Sequence, residues 1–190
     1  LQFIINSETA LPAVYKDVFK DIESCVICPL LEKQRQKELN IPFSSSQIVI
    51  ADSLETLTKY ASYLECRPLV LHIEKDELPD LAECLLLLQD HFSTVTIRLK
   101  GIHLLNDDDI EIYKEQLSAL SDISLMKQAA GIENRMNIQN LRIQENAAHH
   151  ACMANPISVT IAPDGKVYAC PAFYTAGHEP IADSLRDYLN

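Results

Sequence analysis

The sequence predicts an α/β fold: a partial (β/α) barrel or an open parallel sheet, followed by a small β-hairpin module. Three observations predict it. Short runs rich in Val and Ile recur at the spacing of a strand–loop–helix unit. Patterns of helical period lie between them. Near the end, a Pro-Asp-Gly turn signal joins two apolar arms.

The runs are Phe3–Ile5, Cys25–Cys28, Ile48–Ile50, Leu69–Ile73 and Val95–Leu99. Their nearly continuous hydrophobicity reads as strands buried on both faces. Between the first two, Val14, Val18 and Ile22 recur at i, i+4, a helical spacing. Leu30 to Asn40 is charged and Gln-rich, and Pro42 limits it. Ser53 precedes Leu54, Leu57, Tyr60 and Leu64 and is placed to cap that helix, with Asp52 also available. Leu78 to His91 carries an apolar stripe. Asn106-Asp107-Asp108-Asp109 puts carboxylates at the next helix start, favourable for its dipole. Ile110, Tyr113, Leu117, Leu120 and Ile123 then follow on one face.

Alternating strands and helices imply a parallel sheet with right-handed crossovers. Five or six units are too few for an eight-fold barrel. A sixth strand is expected at Met136-Asn137-Ile138, after which the pattern breaks. The expected domains are a βα-repeat domain over 1–130 and a hairpin module over 131–190. In the module, 157–161 and 166–170 should pair antiparallel, Gly165 taking φ > 0. Ala182 to Leu189 reads as a closing helix.

Composition narrows function. A net charge of −11 argues against a nucleic-acid backbone or an anionic membrane as partner. The longest Leu run, Leu85–Leu88, is far too short to span a bilayer. The opening residues lack the basic region of a secretory signal. Six unevenly spaced cysteines suit a reducing compartment better than a disulfide framework. The expected location is cytoplasmic. The absent Met and the apolar opening Leu1-Gln2-Phe3 mark the chain as an expected fragment of a longer protein.

Cys152 and Cys170 bracket the hairpin, which can bring two thiolates to one end. Such a pair suits a metal or an iron–sulfur cluster, although four thiolates normally complete one. The plain reading is two ordinary cysteines. His149 or His150 could complete a mixed Cys/His zinc site, or belong to a solvated loop. Cys25-Val26-Ile27-Cys28 is a C-x-x-C, but it lies in a strand pattern, where the period of two sends its cysteines to opposite faces as core residues. Asp21 stands where a C-x3-C-x2-C would need a third cysteine, so the motif that binds the catalytic cluster of radical S-adenosylmethionine (SAM) enzymes is absent. Cys84 reads as packing and His72 as a satisfied strand histidine. No phosphate-cradling glycine loop, nucleophile elbow or H-E-x-x-H occurs.

The segment from Cys152 through Ile161-Ala162-Pro163-Asp164-Gly165-Lys166-Val167-Tyr168-Ala169-Cys170-Pro171-Ala172-Phe173-Tyr174 resembles the SPASM-type auxiliary-cluster region of radical SAM peptide-modifying systems. More narrowly it resembles the CXXX-repeat peptide maturase family of bacteria. The start, Leu1-Gln2-Phe3-Ile4 with Leu11-Pro12 and Tyr15-Lys16, resembles that family too. Met153-Ala154 departs from it, since the family tends to have Ala-Gly there. The resemblance implies that Cys152 and Cys170 are metal ligands of a 4Fe-4S cluster in the full-length parent. It implies that this fragment alone lacks the remaining ligands, and therefore the cluster. It also implies a Cys-containing precursor peptide and a radical SAM enzyme as partners, with no catalytic residue of its own in this chain. The alternatives from the residues alone are a metal-free peptide-binding or scaffolding domain, in which a sheet edge recruits an extended peptide, and a small zinc module.

Overall fold

Seven strands, paired mostly in parallel, and the helices between them make a mixed α/β fold. The computed structural model describes residues 2–6, 8, 25–39, 47–132, 138, 159–175 and 177–189. The helical pattern at Val14, Val18 and Ile22 lies outside them. By contacts the chain divides into two compact units, Leu1–Ile48 with His149–Asn190, and Val49–Ala148.

In the first unit, β1 (Gln2–Ile4) lies between two parallel neighbours. Phe3 stands opposite Val26 of β2 (Cys25–Pro29) and opposite Ile161 of β6 (Thr160–Ile161). All three are buried. The hairpin is thus part of the sheet that the first strand starts. Gln2 N donates to Val159 O at 2.9 Å, and Thr160 Oγ1 donates to Gln2 Oε1 at 3.0 Å. Between β2 and the next strand, α1 (Lys33–Glu38) is shorter than the charged stretch suggests.

In the second unit, which begins within β3 (Gln47–Ala51) at Val49, β3, β4 (Arg67–Ile73) and β5 (Phe92–Leu99) run parallel in chain order. Ile138 adds a parallel bridge to Val95, the place where a sixth strand is expected, although Met136 and Asn137 lie outside the described residues. The strands are not buried on both faces. Val49, Ala51, Leu69, Leu71, Ile73, Val95 and Ile97 are buried, whereas Ile50, Val70 and Thr96 are half-exposed. The run of apolar residues therefore mixes a fully buried face with a half-exposed one.

Helix α2 (Leu54–Tyr60) starts where Ser53 Oγ accepts Thr56 N at 3.0 Å. Its Leu54 N donates to Glu77 Oε1 at 2.7 Å, a second cap supplied by the following connection. The stripe from Leu78 to His91 is broken into a 3-10 helix (Lys75–Asp80), α3 (Leu81–Leu87) and a second 3-10 turn (Gln89–His91). Pro79 lacks an N–H and stands at the first break. Ala82 N, in the first turn of α3, donates to Gln116 Oε1 of α4 (Asp107–Ala129) at 2.9 Å. Helix α4 opens with a reciprocal capping box: Asp109 N donates to Asn106 Oδ1 at 2.9 Å, and Asn106 N to Asp109 Oδ2 at 3.0 Å. That backbone donor and Lys75 hold the Asp109 carboxyl below its usual range. No helix among the described residues is long and apolar enough to cross a membrane.

The inward residues of the second unit carry its stability. Leu71 is 0 % exposed in the central strand, and Leu125 on α4 is 60 % exposed. Leu71→Ala should cost about 2–5 kcal/mol in a denaturant titration. Leu125→Ala should stay within about 0.5 kcal/mol. Equal losses would place the core elsewhere.

Candidate functional site

The hairpin is built around its turn. β6 and β7 (Val167–Tyr168) pair antiparallel, Ile161 opposite Val167 and Thr160 opposite Tyr168. Gly165 has φ +80°, a left-handed backbone that a β-carbon resists, and its N donates to Ala162 O at 2.9 Å. Asp164 closes the loop twice: its Oδ1 accepts Lys166 N at 3.0 Å and its Oδ2 accepts the Tyr168 hydroxyl at 2.9 Å. The Tyr168 ring meets Tyr174 edge-on, centroids 5.4 Å apart.

The pairing is shorter than the expected arms, of which residues 157 and 158 lie outside the described ones. β7 ends before Cys170 because Pro171 cannot donate to a ladder and instead opens α5 (Pro171–Thr175). Cys170 O accepts Phe173 N at 3.1 Å. On the far side of β7, Val167 exchanges hydrogen bonds with the 181–182 segment: Val167 N donates to Ala182 O at 2.9 Å, and Ile181 N to Val167 O at 2.8 Å. Extended pairing at Ala182 delays the closing helix to α6 (Leu185–Leu189), which Ser184 caps through Asp187 N.

Cys170 is buried and not disulfide-bonded. Cys152, His149 and His150 lie outside the described residues, so the expected approach of Cys152 and Cys170 does too. Among the described residues no group of three or more His, Cys, Asp or Glu is placed to hold a metal ion. Cys25 and Cys28 lie in β2 as expected, and Cys28 is buried. Cys25's side chain lies outside the description. Cys84 is half-buried on α3, 3.6 Å from Thr58 Oγ1, and borders a cleft of about 220 Å³ lined also by Asp80, Glu83, Leu87 and Leu88. Burial pushes its thiol up, which disfavours the thiolate that a nucleophile or metal ligand needs.

A second polar group gathers at the carboxyl ends of β3, β4 and β5. His72 Nδ1 lies 3.3 Å from Asp52 Oδ1. Lys100 Nζ donates to Asp52 O at 2.7 Å and lies 3.5 Å from Glu74 Oε1. Arg98 is the register partner of His72 on β5. Reading the residues one strand at a time misses this row, because only the pairing register aligns Asp52, His72 and Arg98. The available signal was that each falls on the polar phase at the end of its run.

No family model, curated protein or solved structure matches the chain.

The hydrogen bond to the Asp164 carboxylate is the first cause that raises the Tyr168 phenol above its ordinary value, followed by burial. A phenol whose folded pKa is raised favours the fold while it stays protonated. That contribution is complete below the ordinary tyrosine value of about 10 and is lost as pH climbs through the folded value. Spectrophotometric titration should show one tyrosine ionising late, and Asp164→Ala should move it earlier. An unchanged titration would remove Asp164 as the cause.

Proposed function

We propose that the chain is part of a peptide-maturation protein that binds or positions a Cys-containing precursor peptide for a radical SAM partner. In this reading an auxiliary 4Fe-4S cluster sits in the full-length parent, with Cys152 and Cys170 among its ligands. The observation that carries it is the block from Ile161 to Tyr174, in which a tight Pro-Asp-Gly turn is followed by Tyr168, Cys170, Pro171, Phe173 and Tyr174 in the order of the CXXX-repeat peptide maturases.

The chemistry of the donors fits in kind. Cys170 offers a buried thiol outside any disulfide, directly after a strand fixed from both sides by backbone hydrogen bonds. A rigid, water-poor support of this sort suits a thiolate ligand of an iron–sulfur cluster. The fit in number is partial: Cys152 and Cys170 make two of the four thiolates that a cluster takes. When bound, such a group supplies an electron relay or a structural clamp. The role of this chain's residues is to hold the thiols and to present a sheet. For that sheet we favour the partial barrel over a flat open one. Sequential order β3-β4-β5 with parallel pairing is how a (β/α) barrel begins.

Anaerobic reconstitution of the full-length parent tests the reading. The parent should take up iron and sulfide and gain thiolate-to-iron absorbance, and Cys170→Ala should abolish that absorbance. The hydrogen-bonded register around β6 and β7 should persist, because Cys170 lies outside both strands. Normal iron content in the variant overturns the ligand assignment. Bound zinc in place of iron selects the zinc module, and no metal in the parent selects the metal-free scaffold.

A further inference from the structure

The cleft beside Cys84 lies between α2 and α3, within Val49–Ala148. Asp80, Glu83, Cys84, Leu87 and Leu88 follow helical spacing along one face of α3, and Thr58 of α2 stands opposite Cys84. That order gives the cleft two ends. Asp80 and Glu83 make an acidic end. Leu87 and Leu88, one turn or about 6 Å further along the axis, make an apolar one. Cys84 and Leu88 are half-buried, whereas Leu87 is 75 % exposed, the most of any large apolar residue among those described. A leucine left in water beside a hollow offers apolar area that an occupant can cover. The volume of about 220 Å³ exceeds the roughly 150 Å³ of apolar cavity that takes a benzene ring.

Charge and hydrogen bonding select the head group. Neither Asp80 nor Glu83 has an ion-pair partner among the described residues. The ammonium of Lys59, the residue after Thr58, lies 5.1 Å from the centre of the Tyr60 ring. Glu77 is engaged elsewhere, its two oxygens accepting Leu54 N and Glu74 N. Burial first, and then the charges of Glu77, Asp80 and Glu83, raise the Cys84 thiol, so the negative field reaches the cleft wall. A helix start carries only about half a positive charge, so two carboxylates leave this end net negative. Thr58 Oγ1 donates to Leu54 O at 2.8 Å, which leaves its lone pairs to the Cys84 thiol, 3.6 Å away, and to an occupant. Two carboxylates and a hydroxyl oxygen are acceptors. An ammonium is the complementary head, since it carries donors, a positive charge and no lone pair. An anion, or an amino acid with a free carboxylate, is repelled. A lysine of a bound peptide fits less well. Its stem leads back to a polar backbone at the Leu87–Leu88 end, whose side chains offer that backbone no hydrogen bond.

We propose that the cleft between α2 and α3 binds a small primary amine with an aliphatic body, its ammonium held by Asp80 and Glu83 and its chain laid over Cys84, Leu87 and Leu88. This site lies wholly within Val49–Ala148 and does not rest on the maturation reading.

Hexylammonium titrated into the whole chain tests it by nuclear magnetic resonance. Saturable shifts are expected at the Leu87, Leu88 and Thr58 methyls. Hexanol, of the same length without the charge, should bind far more weakly, and hexanoate should leave these signals in place. Asp80→Asn combined with Glu83→Gln should weaken hexylammonium binding about tenfold, the worth of a charge-assisted hydrogen bond. Leu87→Ser should weaken it several-fold through lost apolar cover. All three side chains are exposed, so the variants should keep the wild-type circular dichroism spectrum, and Asp122→Asn on α4 should leave binding unchanged. The proposal is overturned by absent saturable shifts, by equal binding of hexanol or hexanoate, or by an Asp80→Asn, Glu83→Gln variant that binds like wild type. Tighter binding of N-acetyl-lysine methylamide would identify a peptide lysine as the occupant. Concentration-dependent shifts of the same signals without ligand would identify a second copy. Either overturns it as well.

Discussion

In β3 and β4 each buried residue alternates with a half-exposed one, β5 follows the same phase from Val95 to Ile97, and the helices of the second unit depend on that division. The buried set forms a continuous apolar surface from Val49 to Ile97. Removing such surface from water is the dominant favourable term in folding. It is available only while the register keeps every buried side chain on the same face. A slip of one residue would turn Leu69, Leu71 and Ile73 outward and bring Val70 and His72 inward. Helices α2 and α3 contribute the buried Leu54, Leu57, Leu81, Ala82 and Leu85 to this core, and α4 contributes Leu120. Caps then fix where each begins. Several come from sequence-distant side chains, such as Glu77 on Leu54 N and Gln116 on Ala82 N. Each satisfies an orphan donor of a first turn.

The first unit follows the same logic with a different closure. Its central strand, β1, takes one parallel neighbour from Cys25–Pro29 and the other from Thr160–Ile161. A contact between residues 2 and 160 has a large loop-closure cost, but that cost grows only slowly with loop length. The buried stack of Phe3, Val26 and Ile161 and the backbone bonds to Val159 and Gln2 offset it. The hairpin's two ends then differ in character. At the turn, Asp164, Gly165 and Tyr168 form a polar closure. At the other end, Pro171 stops β7 and leaves Cys170 buried between strand and helix. This second end concerns the proposed cluster, since a thiol held by fixed backbone on both sides loses little freedom on ligation.

Most of the element order was legible in the sequence. The five apolar runs each contain or overlap a strand, Ser53 and Asn106 cap the helices they precede, and Pro163-Asp164-Gly165 makes the turn. These features are local: turn chemistry, capping and periodicity act over a few residues. Boundaries were less legible. Pro79 broke a helix that hydrophobic spacing alone joined. Pairing of Ala182 with Val167 shortened another. The two-sided burial expected of Leu69–Ile73 was misread for a related reason. Val70 and His72 are compatible with either a fully buried or a half-exposed face, and only the tertiary packing distinguishes them.

By itself the sequence determined an α/β chain with parallel strands, a tight hairpin turn at Gly165 and a cysteine on each side of that hairpin, because each of these is written in neighbouring residues. Tertiary structure decided that β6 joins β1, that the two faces of β3–β4–β5 differ in burial, and that Asp52, His72 and Arg98 stand in one row. Those outcomes depend on which strand pairs with which and in what register. Register is set by the summed burial of a whole face, which no single stretch of residues contains.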